Sequence, residues 1–344
     1  MIGDGLLCAI VLGAAATLTF FLTPLVRLIS LRAGVLDAPN SVIKTHSSPT
    51  PVFGGVAIWA GFSGAMLLLR LTTRFPTGTL YNLRALLIGG GLVFLLGLAD
   101  DLRRPGGLDY KPKFAVQFAA TILLVRFGLR VRFIHPRWVA EAVTLLWVVG
   151  VTNAFNIIDI MDGLSASLAA VAALGFLFVP LPSEAHYVNF ASAGIAGAAL
   201  GFLPWNFSPR QKVFMGDSGA LTLGFLLAAV SLGAHYSRVN DAGVLAPVLI
   251  LGLPIFDTMF VSALRLSRGQ SPFLGSKDHY ALRLVRLGLT RGQVVAASAA
   301  AAAALAAAAY AAARLTPGRS LALYGVLCAA ALWVAERLAA VRMR

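Results

Sequence analysis

The chain has 344 residues, of which 58% are apolar and only 12% charged, with 28 Lys and Arg against 14 Asp and Glu and a formal charge of +14. A water-soluble domain could not hide that much apolar surface, so the composition excludes a soluble protein and points to one embedded in lipid. The positive charge is spread over loop ends and forms no basic face, which excludes nucleic acid as the expected partner and suits the anchoring of helices in a bilayer.

In chain order, apolar runs broken by Pro, Gly and charge predict eleven spans, near 4 to 29, 52 to 71, 83 to 98, 113 to 128, 138 to 156, 163 to 181, 188 to 204, 218 to 235, 243 to 264, 292 to 313 and 319 to 339. The expected fold class is an all-α polytopic integral membrane protein with about 11 (10 to 11) transmembrane helices, a single domain over 1–344. Its hydrophilic stretches, none longer than about thirty residues, are shorter than an independent domain. The first run, Ile2 to Ile29, is too long for the core of a signal peptide and reads as a retained span. Cys8 and Cys328 lie in apolar segments with no partner spacing, which argues against a disulfide framework or a thiolate metal site. The Ala-rich stretch Ala296 to Ala313 suits a helix, since Ala is the best helix former and small residues allow close packing in lipid.

Eleven spans place the termini on opposite sides, and the loops after odd-numbered spans share one face. That face carries 18 of the 28 Lys and Arg and is therefore expected to be cytoplasmic. The same face collects Asp37, Asp100, Asp101, Asp109, Asp159, Asp162, Asp217 and Asp278 with His46 and His279, whereas Asp257 falls inside a span. A transporter more often holds its ionisable groups at mid-membrane on broken helices. Polar chemistry converging from several loops favours an enzyme working at the membrane surface.

Three motifs hold most of that chemistry. Ala99-Asp100-Asp101 closes the third span and is followed by Leu108-Asp109-Tyr110-Lys111-Pro112-Lys113. Adjacent carboxylates repel one another unless a cation joins them, so the pair reads as a hard-metal ligand or an acid/base pair, although charged helix ends are also common as plain solvated anchors. Asn153, Asn156, Asp159 and Asp162 recur every three positions, a spacing that groups them on one side of a helical turn, where they could bind a nucleobase, a ribose or a metal. The bland alternative is a polar seam between helices, but an Asp within a span costs roughly 2.5 to 3.5 kcal/mol at the bilayer centre. In Phe214-Met215-Gly216-Asp217-Ser218-Gly219 the Asp and Ser open a span, where free amides and the helix dipole suit phosphate and a carboxylate can hold the accompanying ion. Phe214 offers a face for a flat base; an ordinary helix cap and a lipid contact are the plainer readings. The longest loop, Arg265 to His279, brings Arg, Lys and His that could neutralise a pyrophosphate or anchor to anionic lipid.

Taken in order and spacing, Gly34 to Asn40, Lys44-Thr45-His46, Pro49 to Gly55, Asp100-Asp101, Asn153 to Gly163 and Phe214 to Gly219 resemble the polyprenyl-phosphate N-acetylhexosamine-1-phosphate transferases, the superfamily of the MraY-type and WecA-type enzymes. The resemblance spans about Gly34 to Gly288. It implies an enzyme of the bacterial plasma membrane, active site cytoplasmic, that moves a HexNAc-1-phosphate, GlcNAc-1-phosphate by default, from a UDP-sugar to undecaprenyl phosphate with release of UMP, as a first membrane step toward an envelope polysaccharide.

By the same resemblance Asp217 ligates Mg2+, or Mn2+ in its place, with help from Asp100 and Asp101. Phe214, Asn156 and Asp159 hold the uridine, and Asn153 and Asp162 belong to the same polar wall. Lys44, His46, Lys113, Arg265 and Arg283 are expected to bind substrate, and Asp100, Asp101, Asp217 and His279 to be catalytic. Ser271-Pro272-Phe273, Asp278-His279 and Arg283-Leu284 look like the WecA-type branch, while the Pro-x-His-His-His run of the muramoyl-pentapeptide branch is absent. Tyr280, Ala281 and Leu282 stand where the WecA-type pattern has further histidines, leaving His279 and Arg283 to meet the phosphates. The muramoyl-pentapeptide branch, a transporter and a catalytically lapsed nucleotide or lipid binder are the alternatives, and a homodimer is left open.

Overall fold

The computed structural model describes residues 4–38, 49–73, 78–104, 106–179, 186–233, 240–271 and 277–343. Lys44 and His46 lie outside the described residues. The chain forms α1 (Asp4–Arg32), a two-stranded antiparallel ribbon of β1 (Leu36–Asp37) and β2 (Thr50–Pro51), α2 (Gly54–Thr72), α3 (Thr79–Leu102), α4 (Tyr110–Arg126), α5 (Arg137–Ile158), α6 (Leu164–Phe178), α7 (His186–Asn206) and α8 (Gly216–Ser231). A 3-10 turn (Asp241–Leu245) then leads into α9 (Ala246–Ile250), α10 (Gly252–Leu266), α11 (Tyr280–Arg286), α12 (Arg291–Ala312) and α13 (Pro317–Ala339). Helices dominate because a chain in hydrocarbon must satisfy each backbone amide and carbonyl within its own segment.

Among the described residues seven helices, α1, α2, α3, α5, α7, α12 and α13, are long and apolar enough to cross a membrane, and the segment from the 3-10 turn through α10 makes an eighth if counted as one span bent by 71°. The bend falls just before Gly252-Leu253-Pro254, where a proline and a glycine weaken helical continuity. The protein is thus an all-α, multi-pass membrane protein. The expected count of eleven is not reached by length and composition, because α4, α6 and α8 have only 17, 15 and 16 residues and extend about 22 to 26 Å at 1.5 Å per residue, short of a ~30 Å hydrocarbon core.

The short α8 sits at the centre of the bundle, packed against α2, α3, α5, α6 and α7, and every residue of it except Asp217 is buried. By contrast α13 buries only Ser320 and Leu338, and its exposed Leu321, Val326, Leu332 and Trp333 are what a lipid-facing helix should show. A close approach positions α3: a Cβ at Gly97 would stand 2.5 Å from the backbone of Ser218. One turn further along α3, that contact delivers Asp101 to the first turn of α8.

Candidate active site

The C-terminal ends of α3, α5 and α7 and the N-terminal ends of α4, α6 and α8 meet at one end of the bundle. Asp100, Asp101 and Asp217 offer carboxylate oxygens that all lie within 4.8 Å of one another. Asp101, fully buried, accepts hydrogen bonds from the amides of Asp217 (2.9 Å) and Ser218 (3.0 Å) and from the Ser218 hydroxyl (2.7 Å). It therefore caps α8 from a different helix, satisfying amides that a helix N-terminus leaves without partners. Gly216, at φ +72°, is required here, since a side chain would be strained and its Cβ would stand 2.5 Å from Asp101 Oδ2.

Two cations knit the carboxylates together. Lys113, in the first turn of α4, places its ammonium 2.9 Å from Asp100 and 2.7 Å from Asp217. Arg104, just beyond α3, reaches Asp37 on β1 at 2.7 Å, Asp101 at 3.2 Å and Asp217 at 3.4 Å. Burial works against the charge of Arg104, but Asp101, Asp217 and Asp37 outweigh it and raise its pKa further above the ordinary guanidinium value. Its Nε is buried with no hydrogen-bond partner among the described residues. The amide of Leu108 donates to Asp100 at 2.6 Å, fixing the loop between Asp100 and Lys113.

Around this cluster lies a second wall. Phe214 is held by both neighbours of its backbone: its N–H donates to Pro51 at 2.8 Å, and the N–H of Gly54 donates to its carbonyl at 3.0 Å. Asn206, buried at the end of α7, accepts from the amide of Gly163 at 2.5 Å and donates to the carbonyl of Val213 at 2.8 Å. One side chain thus ties the loop after α5 to the loop before α8. Lys212 pairs with Asp162 at 2.6 Å and lies 6.0 Å from the centroid of Phe214. Asp159, at the end of α5, has its carboxyl pushed up to about 7 by burial first and by Asp217 second.

Of the residues expected from sequence, the structure brings together Asp100, Asp101, Asp217 and Lys113, with Asp159 within electrostatic reach of Asp217 and Asp162 joined to the Phe214 wall through Lys212. Asn156 is half-buried on the last turn of α5. Asn153 exchanges hydrogen bonds with the buried Gln117, so its amide is engaged between α4 and α5 and the every-third-residue pattern is in part an interhelical seam.

Three expectations meet a different geometry. Arg283, expected to bind phosphate, is fully buried; it donates to the carbonyls of Leu338 (2.8 Å) and Val341 (2.6 Å) and to the Asp278 carboxylate (2.7 Å), and so anchors the end of α13. His279, expected to be catalytic, is buried with Nδ1 2.7 Å from the fully buried Asp257 of α10. Arg265, expected to bind substrate, is buried at the end of α10. The stretch that lacks histidines is structural: the amide of Tyr280 donates to Asp257 at 2.9 Å, its hydroxyl donates to Ser298 at 2.8 Å, and Ala281 is fully buried. Sequence reasoning missed Arg104, Asp37, Asn206 and Lys212 as site residues. The run Asp100-Asp101-Leu102-Arg103-Arg104 carried the signal for Arg104, since an i,i+3 pair faces one way at a helix end.

Residues 83–235, which include the Asp pair, the α5 polar run and the turn at Asp217, match the model of glycosyl transferase family 4. A probable undecaprenyl-phosphate N-acetylglucosaminyl 1-phosphate transferase of Bacillus subtilis is 34% identical over 278 residues, 78% of this chain and 75% of its own length. The chain belongs to glycosyl transferase family 4. Two further relatives in the family are a decaprenyl-phosphate N-acetylglucosaminephosphotransferase of Mycolicibacterium smegmatis, 34% identical over 82% of this chain and 76% of its own, and an undecaprenyl-phosphate alpha-N-acetylglucosaminyl 1-phosphate transferase of Escherichia coli K12, 28% identical over 78% and 73%.

Proposed function

We propose that this family 4 chain transfers GlcNAc-1-phosphate from UDP-GlcNAc to a polyprenyl phosphate at the cytoplasmic face of the bacterial plasma membrane, releasing UMP. The observation that carries the reading is the convergence of Asp100, Asp101 and Asp217 on the cations Arg104 and Lys113, supported by relatives named as N-acetylglucosaminyl 1-phosphate transferases of undecaprenyl or decaprenyl phosphate.

A divalent ion fits the donor set. With Asp37, the site gathers four carboxylates around only two cations, Arg104 and Lys113, an excess of negative charge that a divalent cation offsets. Asp100 and Asp217 would hold Mg2+, or Mn2+, because both oxygens of Asp101 already accept hydrogen bonds from α8. Such an ion supplies charge neutralisation to the donor diphosphate.

The chain's own residues do the rest. A lipid phosphate oxygen attacks the sugar-linked phosphorus, a new P–O bond forms, the bridging P–O bond breaks and its electron pair leaves with UMP. Arg104, through its unpartnered Nε, and Lys113 meet phosphate oxygens and absorb the developing charge. Phosphate has a second pKa near 6, so the attacking group is largely ionised at neutral pH and positioning outweighs base catalysis; Asp100 takes the proton from any protonated lipid phosphate. Phe214 stacks on the uracil, and Asn156 and Asp159 face the nucleoside.

The test is UMP release by detergent-purified protein given undecaprenyl phosphate, magnesium and, in parallel, UDP-GlcNAc, UDP-GalNAc and UDP-MurNAc-pentapeptide. Release with UDP-GlcNAc that disappears in Asp217→Asn is expected. Release with the pentapeptide donor alone would overturn the donor assignment, and normal turnover by Asp217→Asn would overturn the site.

A further inference from the structure

The end of the bundle opposite the carboxylates holds a cavity of about 410 Å³. It opens between the loop joining α4 to α5, the N-terminal half of α5, the end of α8 and the turn entering α9. The 16 residues of α8 separate Asp217 from this end, about 24 Å at 1.5 Å per residue, so the cavity is distinct from the active site. Val143, Trp147 and Val248 give it an apolar wall, and Val248 is 42% exposed, so the cavity reaches the outer, lipid-facing surface of the bundle. Its polar interior is already satisfied, because Trp147 Nε1 donates to Ser231 Oγ at 2.8 Å.

Arg130 and Arg132 also line the cavity, and among the described residues no acidic one does. They belong to a loop whose neighbouring Arg137 is paired with Glu141 at 2.7 Å. This connection carries Arg126, Arg130, Arg132 and Arg137 on the face that is otherwise poor in basic residues. Exposed Phe133 and Trp138 flank it, as aromatic side chains do at the level of lipid headgroups. An apolar slot that opens to lipid, with two guanidiniums along it and no carboxylate among its described lining residues, complements one kind of molecule: an amphiphile with an anionic head and an acyl chain.

We propose that this cavity binds an anionic phospholipid, with the headgroup phosphate on Arg130 and Arg132 and an acyl chain along Val143, Trp147 and Val248. The site is independent of the transferase reading and stands or falls without it.

The experiment uses the full chain in phosphatidylcholine bilayers and reads quenching of Trp147 fluorescence, taken as the signal lost in Trp147→Phe, by phosphatidylglycerol brominated on its acyl chain. Quenching should saturate at a low fraction of the brominated anionic lipid and need far more of brominated phosphatidylcholine. With about 1 kcal/mol per arginine at a membrane surface, or about fivefold each, Arg130→Gln/Arg132→Gln should raise the required fraction about thirtyfold. Val248→Phe, which narrows the slot and keeps both arginines, should weaken quenching while leaving thermal unfolding unchanged. Equal quenching by the two lipids, or no effect of the arginine substitutions, would overturn the headgroup assignment. No quenching of Trp147 by either lipid would overturn chain entry.

Discussion

Asp101 and Ser218 form a double hydrogen bond between two helices: Asp101 Oδ2 accepts from the Ser218 amide at 3.0 Å and from its hydroxyl at 2.7 Å, while Oδ1 accepts from the neighbouring amide of Asp217. The two members of the Asp pair therefore have different tasks. Asp101 positions the turn that carries Asp217, and Asp100 faces Lys113.

Asp101→Asn should destabilise the protein by about 1 to 3 kcal/mol, because an amide can replace only part of the acceptor capacity and leaves a buried N–H without a partner. Asp100→Asn should cost less stability while still abolishing turnover. Thermal unfolding of both variants without divalent ions checks this, and equal midpoints would remove the capping role.

Lys113 sits between Asp100 and Asp217 and holds apart two carboxylates that would otherwise repel. In Lys113→Met the metal-free protein should unfold at lower temperature, and added Mg2+ or Mn2+ should raise the midpoint by more than it does in the parent. A smaller shift in the variant would show that the ammonium and the ion do not compete for the same carboxylates.

Asp159 supplies a pH dependence. Its folded pKa, about 7, stands above the ordinary carboxylate value of 3.8. The folded state therefore binds the proton more tightly than the unfolded one. This stabilising contribution is complete below pH 3.8 and is lost as the pH rises through about 7. Asp159→Asn should flatten that part of the stability curve, measured by denaturation from about pH 5 to about pH 8 without divalent ions. An unchanged slope would place the titration elsewhere.

Asn206 bridges Gly163 and Val213. Replacing it with Leu leaves an amide and a carbonyl unpaired at a cost of about 1 to 3 kcal/mol and frees the Phe214 loop from the end of α5. The expected kinetic signature is a raised KM for the nucleotide donor with a smaller change for the lipid acceptor. Equal changes for both would show that the bridge supports the bundle as a whole.

Arg283 separates structural from substrate roles. Its donors serve Leu338, Val341 and Asp278, so Arg283→Met should lower stability by about 3 to 5 kcal/mol, the scale of a broken buried ion pair, and leave the donor KM of the surviving protein unchanged. A large rise in KM with stability intact would return Arg283 to the active site.

What was legible in the sequence was whatever depends on neighbours along the chain. Membrane residence, helical class and the three aspartate motifs followed from apolar runs and from the cost of carboxylates near lipid, and Asp100, Asp101, Lys113 and Asp217 do converge. Tertiary structure alone decided how the work is divided among them. Glycine contacts such as Gly97 on Ser218 set the approach of α3 to α8, and that approach makes Asp101 a cap. The same dependence on distant partners turned Arg283 and His279 inward, toward the end of α13 and Asp257. It also brought Asn206 into the site from a position with no local signal, and joined Arg104, whose i,i+3 pairing with Asp101 was local, to the distant Asp37 and Asp217. Hydrophobic periodicity and charge cost act along the chain and can be read from it, whereas hydrogen-bond satisfaction in a packed bundle is settled only when all the helices are in place.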